Sequence, residues 1–155
     1  MEIFTVCFFG HREINQFDVV EEKIDEIIRK LIQEKEYVDF LVGRNGEFDQ
    51  IVASCILKAK RDLFNGNFSL NLILPYATSE YLNDEKSFKD YYDDIEVFSD
   101  FNTYFKSAFQ KRNRQMVNRS DLCIFYVEHN FGGAYQTLKY AISKKKSIIN
   151  IINSL

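Results

Sequence analysis

Three glycine-bearing segments contain residue types that could bind or transform a ligand. They read Gly10-His11-Arg12, Gly43-Arg44-Asn45-Gly46 and Gly132-Gly133, and each directly follows or closely follows an apolar run. Because glycine has no Cβ, an anion can approach the backbone N–H groups there, and a helix N-terminus adds the positive end of its dipole. Arginine supplies a planar cation that binds phosphate through two N–H groups. The pattern predicts a site for a phosphate-bearing ligand.

Acids and histidines near these segments leave the type of chemistry open. Asp49 suits a cap for backbone N–H groups better than a catalytic acid, and Glu47 is a further acid beside it. Glu128 could bond a ribose hydroxyl or could be solvated. The position of His11 favours ligand contact or a structural hydrogen bond over general-base work, whereas His129 is interpreted as a loop residue. The sequence therefore does not decide whether a ligand is turned over.

Composition limits the classes of partner. A chain of 155 residues with 46% hydrophobic residues fits one domain, 1–155, with a substantial core. The net charge of -3 and the pI of about 5.5 give no general electrostatic argument for nucleic acid, so no nucleic acid partner is expected. Without a membrane-length apolar run or a signal-peptide pattern, we expect a cytoplasmic protein that does not bind membranes.

The cysteines predict no metal site. Cys7, Cys55 and Cys123 are an odd number, each lies in an apolar segment, and no pair has the spacing of metal ligands. Buried free thiols are the expected outcome. We expect neither a metal nor a cofactor.

Apolar strands alternate with segments of helical spacing along the chain. Strands are predicted at 3–9, 40–42, 70–74, 122–127 and 147–152. Helices are predicted from an N-cap at Asp18 (with Glu21 in capping-box position) to about 35, over 48–64, from 101 or 104 to about 118, and from the Gly132-Gly133 pair to about 144. The alternation predicts an α/β, three-layer Rossmann-like fold with a mostly parallel sheet of about five to six strands.

One segment lacks a clean period. Residues 76–104 are rich in aromatic and acidic side chains, and we interpret them as an irregular flap with one or two short helical turns. Residues 95–98 could form a short edge strand within it.

The predicted sheet brings the three glycine segments together, because parallel sheets bind ligands outside the carboxyl ends of their strands. The helix before Asp121 adds Arg112, Arg114 and Arg119, although Arg119 and Asp121 can simply pair with each other. Several cations at one rim of an acidic chain favour an anionic ligand, with a nucleotide as the natural candidate.

Four motifs together resemble a known superfamily. They are FFGHR, GRNGEFD, RNRQMVNRSD and FGGAYQTLKYA, in this order along the chain. They resemble the SLOG superfamily, most closely its YpsA-like branch of small Rossmann-like domains associated with nucleotides. The resemblance implies a nucleotide or nucleotide-derived ligand and a homodimer or higher oligomer. With the residues considered above, the predicted ligand site comprises Gly10, His11, Arg12, Gly43, Arg44, Asn45, Gly46, Asp49, Arg112, Met116, Glu128, Gly132, Gly133, Ala134 and Tyr135.

The related LOG phosphoribohydrolases have a catalytic signature from which this chain departs. Arg112 and Met116 keep the upstream Arg-Lys-x-x-Met pattern, but Pro-Gly-Gly-x-Gly-Thr-x-x-Glu is altered, with Phe131 for the proline, Tyr135 for a glycine and Lys139 for the glutamate. A lysine cannot stabilise the positive charge that develops on the sugar.

The favoured hypothesis is therefore a nucleotide sensor or sequestering protein without strong catalysis. The alternatives are a nucleotide N-glycoside or phosphoester hydrolase that uses another carboxylate, and a protein-interaction module with a vestigial cleft.

Overall fold

The computed structural model describes residues 1–98 and 105–155. In the described ranges the strands are β1 (Ile3–Gly10), β2 (Tyr37–Val42), β3 (Phe68–Leu74), β4 (Asp94–Val97), β5 (Leu122–Tyr126) and β6 (Ser147–Asn150). The helices are α1 (Phe17–Glu34), α2 (Glu47–Asp62), α3 (Ser79–Asn83), α4 (Glu85–Tyr91), α5 (Phe105–Arg119) and α6 (Gly133–Ser143), with a final 3₁₀ turn at Ile151–Ser154.

The six strands form one parallel sheet in the order β4-β3-β2-β1-β5-β6. Helices cover both faces, so the predicted α/β Rossmann-like class is confirmed. The strand order reverses between β1 and β5. Connections leave the carboxyl ends of these two strands toward opposite faces of the sheet, which opens a crevice between them.

Alternating side chains divide the interior into two cores. On one face Val6 and Phe8 of β1 pack with Ile24 of α1 and Ile51 of α2. On the other face Cys7 and Phe9 pack with residues of α5 and α6, namely Met116, Val117 and Ala141. Because both faces of the central strands are covered, these strands read as continuous apolar runs.

The start of α1 corrects one prediction. The N-cap is Gln16, in the left-handed region at φ 57, and the N–H groups of Val19 and Val20 donate to its carbonyl oxygen. Asp18 lies in the first turn and does not cap the helix, although a carboxylate there still interacts favourably with the helix dipole. At the chain's other end, β6 stops at Asn150 rather than 152, where the 3₁₀ turn begins.

The part of the predicted flap that the structure describes, 76–98, is more regular than expected. It forms α3, capped by the Thr78 hydroxyl on the Tyr81 N–H, then α4 and the parallel edge strand β4, which confirms the predicted edge strand. Phe88 and Tyr92 are buried in the α1–α2 core rather than in a flap, because α4 packs back onto that face of the sheet. The predicted start of α5 at 101 or 104 lies outside the described residues.

The three cysteines are buried and free, as predicted. Cys7 of β1 and Cys123 of β5 stand opposite each other in register. No helix in the described part of the chain is long and apolar enough to cross a membrane.

Two glycines at the carboxyl edge should respond differently to an added methyl group. A Cβ on Gly10 would lie 2.3 Å from the ring of fully buried Phe48, whereas one on Gly133 would meet nothing within 4 Å. We expect Gly10→Ala to lower the free energy of unfolding by about 1–3 kcal/mol, as overpacking does. Gly133→Ala, the matched control, should stay within about 0.5 kcal/mol of the wild type. Urea denaturation measures both, and equal stability of the two variants would contradict this reading of the Gly10 contact.

Candidate functional site

A cleft of about 580 Å³ lies at the switch point of the sheet, outside the carboxyl ends of β1, β2 and β5 and beside α5. It brings together ten predicted site residues: Gly10, His11, Arg12, Gly43, Asn45, Asp49, Arg112, Gly132, Gly133 and Ala134. It also contains residues that were not predicted: Phe8, Phe9, Glu13, Phe109, Gln110, Asn113, His129 and Phe131.

The segments after β1 and β2 touch through their backbones. A Cβ on Gly46 would lie 2.5 Å from the Arg12 Cα, so only glycine permits this approach. The Glu47 N–H donates to the Arg12 carbonyl oxygen at 2.9 Å, and the Glu47 carboxylate accepts the Ile14 N–H at 2.7 Å. The loop that carries Arg12 is thereby held against the start of α2.

The segments after β1 and β5 are joined by His11. Its Nε2 accepts the backbone N–H groups of Glu128 at 2.9 Å and of His129 at 3.2 Å. The backbone N–H of His11 donates to the Tyr126 carbonyl oxygen at 3.3 Å, which ties the loop after β1 to the end of β5. His11 therefore makes the structural hydrogen bonds that were one of its two predicted roles.

Three rings stack in series along the rim of the cleft. The His11 and His129 rings lie 4.4 Å apart at 25°, and the His129 and Phe131 rings lie 5.1 Å apart at 9°. Phe131 ends the series with 69% of its surface exposed. Sequence reasoning missed this stack. One sequence signal could have indicated it: Phe131 is a large apolar residue outside the predicted strands and helices, between polar residues and a glycine pair.

Arg112 is a structural cation behind the cleft. It is 2% exposed; its Nη1 donates to the Ile73 carbonyl oxygen at 3.1 Å, and its Nε and Nη2 donate to the Asn113 side-chain oxygen. The Asn113 amide donates to the Thr137 hydroxyl, which donates to the Gly133 carbonyl oxygen. Burial lowers the pKa of Arg112 to about 10, which leaves it charged at neutral pH. This chain of bonds connects the end of β3 to the first turn of α6.

Asp49 lies close to that cation. Gly43 leaves room for both, because a Cβ there would lie 3.0 Å from the Arg112 Nη1 and 3.2 Å from the Asp49 Oδ2. The Asp49 carboxylate accepts the Asn45 N–H at 2.8 Å, while the N-cap of α2 is Gly46. Burial raises the pKa of Asp49, opposed by the Asn45 hydrogen bond and by the charge of Arg112. Asp49 thus accepts a backbone N–H of the turn before α2, but it does not cap the helix as predicted, because the N-cap is Gly46 and makes no side-chain hydrogen bond.

Five predicted site residues do not line this cleft. The Arg44 guanidinium pairs with Glu80, bonds the Tyr92 hydroxyl and lies over the Phe88 ring, so it faces a second groove beside α4. Met116 is fully buried in the α5–α6 core because it lies on the inner side of α5. The other three are Gly46, Glu128 and Tyr135. Gly46 contacts Arg12, the Glu128 carboxylate accepts a hydrogen bond from the Asn15 side chain, and the Tyr135 ring lies under the Lys139 ammonium group.

The expected Arg119–Asp121 pair does not form. Arg119 bonds Glu96 of β4 at 2.7 Å, whereas Asp121 accepts the Thr5 N–H at 2.8 Å. Arg119 therefore pairs with a side chain of β4 and Asp121 with a backbone N–H of β1, and the two residues do not pair with each other.

The arrangement favours binding over acid–base chemistry. The three candidate acids, Asp49, Glu47 and Glu128, each accept a hydrogen bond from a neighbouring loop. Within the ranges 1–98 and 105–155, no group of three His, Cys, Asp or Glu side chains could hold a metal ion. The start of α6 has no side-chain cap, and its N-cap Gly132 has a φ of 94 that suits glycine. Its N–H groups and helix dipole are available to an anion.

The fold has counterparts among solved structures. DNA processing protein A (DprA) from Streptococcus pneumoniae matches 94% of this chain with a TM-score of 0.64 and 17% identity, and the match covers 49% of that chain. DprA from Helicobacter pylori, described for its unique single-stranded DNA binding mode, matches 94% of this chain with a TM-score of 0.66 and 17% identity, over 63% of that chain. This chain therefore spans about half to two thirds of their length. No protein-family model and no curated protein sequence matches the chain.

These neighbours correct the resemblance drawn from the motifs. The assignment to the YpsA-like branch of the SLOG superfamily is wrong, because the matching folds are those of DNA processing proteins. The expectations of a small nucleotide ligand and of no nucleic acid partner are overturned with it, since one of these neighbours is described by its single-stranded DNA binding. The physical reason is that glycines at strand ends mark the turns of a parallel sheet and leave the ligand's size undetermined.

The carboxylate of Asp49 should make stability depend on pH. Its raised pKa means that the folded state holds this proton more tightly than the unfolded chain, whose value is near 3.8. As pH rises from about 3.8 through the folded-state value, ionisation of Asp49 therefore lowers the free energy of unfolding. We expect Asp49→Asn, which keeps an acceptor for the Asn45 N–H, to gain stability relative to the wild type over that rise. Urea denaturation at a series of pH values measures the difference; a difference that stays constant with pH would contradict the burial of this charge.

Proposed function

We propose that this chain binds single-stranded DNA in the switch-point cleft, with an unpaired base on the exposed face of Phe131. The stack of His11, His129 and Phe131 carries the proposal, because it is a preorganised aromatic surface whose outer ring is open to solvent. Stacking of bases on aromatic side chains is the main source of affinity in many single-strand-binding proteins.

The stack favours a single strand over a duplex. A base can lie face to face with Phe131 only after it has left its own stack. The free-energy cost of this unstacking is small for a base that is already unpaired. Every base has an aromatic face, so we expect tolerance of sequence.

Phosphate contacts would come from the groups next to the stack. The start of α6 at Gly132 and Gly133 is exposed and uncapped, and Arg12 is exposed on the opposite wall. Backbone N–H groups of a helix start bind phosphate well, and glycine lets the backbone approach closely. A backbone phosphate adjacent to the stacked base is the group we assign to this position.

The charge distribution predicts that electrostatics contributes little to the affinity for DNA. Glu13 lies in the same cleft as Arg12, Arg112 is committed to bonds within the protein, and the chain carries a net charge of -3. We therefore expect stacking to dominate the affinity, with a shallow dependence on salt. A net charge averages over the whole surface, so the value of -3 is compatible with one local site for nucleic acid.

The fold comparisons support this proposal. Two DprA structures share the architecture over 94% of this chain, and one of them is described by its single-stranded DNA binding mode. At 17% identity the likeness concerns the fold, so the assignment of a ligand to this cleft rests on the ring stack and the open helix start.

Removal of the exposed Phe131 ring tests whether the ring stack binds a base. Phe131→Ala should weaken binding of a fluorescent oligothymidine by roughly 5- to 150-fold, the effect of about 1–3 kcal/mol for one lost stacking platform, while Phe131→Trp should retain it. Phe64→Ala is the matched control, since Phe64 is 93% exposed but follows α2, toward the amino ends of the strands. Fluorescence polarisation measures the affinities, with a duplex of the same length as a weak competitor. Equal binding by the Phe131→Ala and Phe64→Ala variants would sink the proposal.

Arg12→Ala tests the phosphate contact. We expect a lower affinity for every oligonucleotide sequence and a fall of about 0.7 in the slope of log affinity against log salt, the value for one phosphate on a single strand. Lys58→Ala on the outer part of α2 is the control. An unchanged slope in the Arg12→Ala variant would remove Arg12 from the phosphate site.

A further inference from the structure

We propose that neutral His11 is a positioning residue for the loop that carries Phe131, and that protonation of its imidazole releases this loop and weakens binding of single-stranded DNA. The inference rests on the proposed function for its DNA readout, whereas the loop itself can be tested without DNA. We call the two hydrogen bonds from the Glu128 and His129 N–H groups to His11 Nε2 the His11 bridge.

The His11 bridge requires one protonation state. An imidazole nitrogen accepts hydrogen bonds only when it carries no proton, so the neutral form with its proton on Nδ1 is the one that fits. In the protonated ring Nε2 also becomes a donor. It would then point an N–H group at two other N–H groups, and both bonds would be lost.

The position of Phe131 depends on this bridge through the ring stack. The bridge holds the backbone at Glu128 and His129, the His129 ring lies on the His11 ring, and the Phe131 ring lies on the His129 ring. The backbone of His11 is anchored by its N–H on the Tyr126 carbonyl oxygen, and the imidazole makes an edge contact with the Tyr126 ring. The end of β5 therefore positions His11, and His11 positions the loop.

The surroundings keep His11 neutral near pH 7. Burial is the main cause that lowers its pKa below the ordinary 6.5, the charge of His129 adds to this, and Glu128 opposes it. The titratable or charged groups around it are Tyr126, Glu128 and His129 from β5 and its loop, Arg12 and Glu13 from its own loop, Asp49 from α2 and Arg112 from α5. Because the folded-state pKa is lowered, the stabilisation from the bridge is complete above about pH 6.5 and is lost as pH falls through the folded-state value.

Simple electrostatics predicts the opposite effect on DNA. Protonated histidines in a phosphate-binding cleft would add positive charge, so binding would tighten in acid. The His11 bridge predicts weaker binding in acid, because the stacking surface is released. The sign of the pH dependence therefore separates the two mechanisms.

Amide hydrogen exchange tests the bridge without DNA. Protection factors of the Glu128 and His129 N–H groups, measured by NMR from about pH 7.5 to about pH 4.5 and corrected for intrinsic exchange, should fall about tenfold or more in the wild type. His11→Gln, whose amide oxygen can replace Nε2 as the acceptor, should keep its protection throughout. His11→Ala should lack protection at both ends of the range, while the Ile124 N–H within β5 stays protected in all three proteins. Wild-type protection that does not change with pH, or a His11→Gln variant that follows the wild type, would overturn the proposal.

Oligonucleotide affinity over the same pH range tests the consequence for binding. The wild type should bind oligothymidine about tenfold more weakly at the acid end. His11→Gln loses a stacked ring and should bind more weakly at neutral pH, but its affinity should not fall further in acid. His129→Phe, which keeps the backbone N–H groups, His11 and a ring between His11 and Phe131 but cannot be protonated, is the matched control and should retain the wild-type ratio. Tighter wild-type binding in acid, or loss of the pH dependence in the His129→Phe variant, would overturn the role of His11.

The two measurements separate the two proposals. Absence of oligonucleotide binding at every pH would overturn the proposed function and, with it, the pH-dependent DNA binding. The exchange experiment would still decide whether His11 holds the loop.

Discussion

The contact between the Gly10 backbone and the Phe48 ring determines how closely α2 can lie to the end of β1. A Cβ on Gly10 would lie 2.3 Å from that ring, and Phe48 is fully buried between the helix and the sheet. The close approach brings the turn after β2 to the loop after β1, where Gly46 meets the Arg12 backbone in a second contact that a side chain would block. One wall of the cleft is therefore built from glycines whose missing side chains let neighbouring atoms approach, which is a packing role.

The buried polar groups account for the small number of cations left at the surface of the cleft. Arg112 joins β3 to the start of α6 through Asn113 and Thr137, and Asp49 holds the turn before α2. Both side chains lose hydration, and their mutual attraction offsets only part of that cost, as the direction of each pKa shift shows. With Arg44 committed to Glu80 and the α4 rings, the groups left at the surface of the cleft include Arg12, Glu13, the stack that ends at Phe131, and the open start of α6.

The expectations that proved wrong share a physical cause. An aspartate with a glutamate three residues later predicts an N-cap at Asp18. The N-cap is instead Gln16 in the left-handed conformation, which glutamine rarely adopts and which its residue type does not predict. The short and broken period of the aromatic residues of 76–98 predicts a flap with one or two short helical turns. Helices α3 and α4 are such turns, and the packing of α4 against the sheet turns Phe88 and Tyr92 inward. Glycine turns after strands occur in many parallel sheets, so they could not identify a YpsA-like protein or a small ligand.

The sequence by itself determined the α/β class, the parallel arrangement, most strand positions and the convergence of three segments at one edge. These follow from local periodicity and from the rule that parallel strands place their carboxyl ends on one side. Only the tertiary structure decided which way each side chain at that edge points. The sequence predicts both Arg44 and Arg112 at this edge, yet Arg44 turns to a neighbouring groove and Arg112 is buried. Their hydrogen-bond acceptors, the Glu80 carboxylate and the Ile73 carbonyl oxygen, lie on segments distant in sequence. The stack of His11, His129 and Phe131 joins loops more than a hundred residues apart, and no local pattern can specify a contact of that separation.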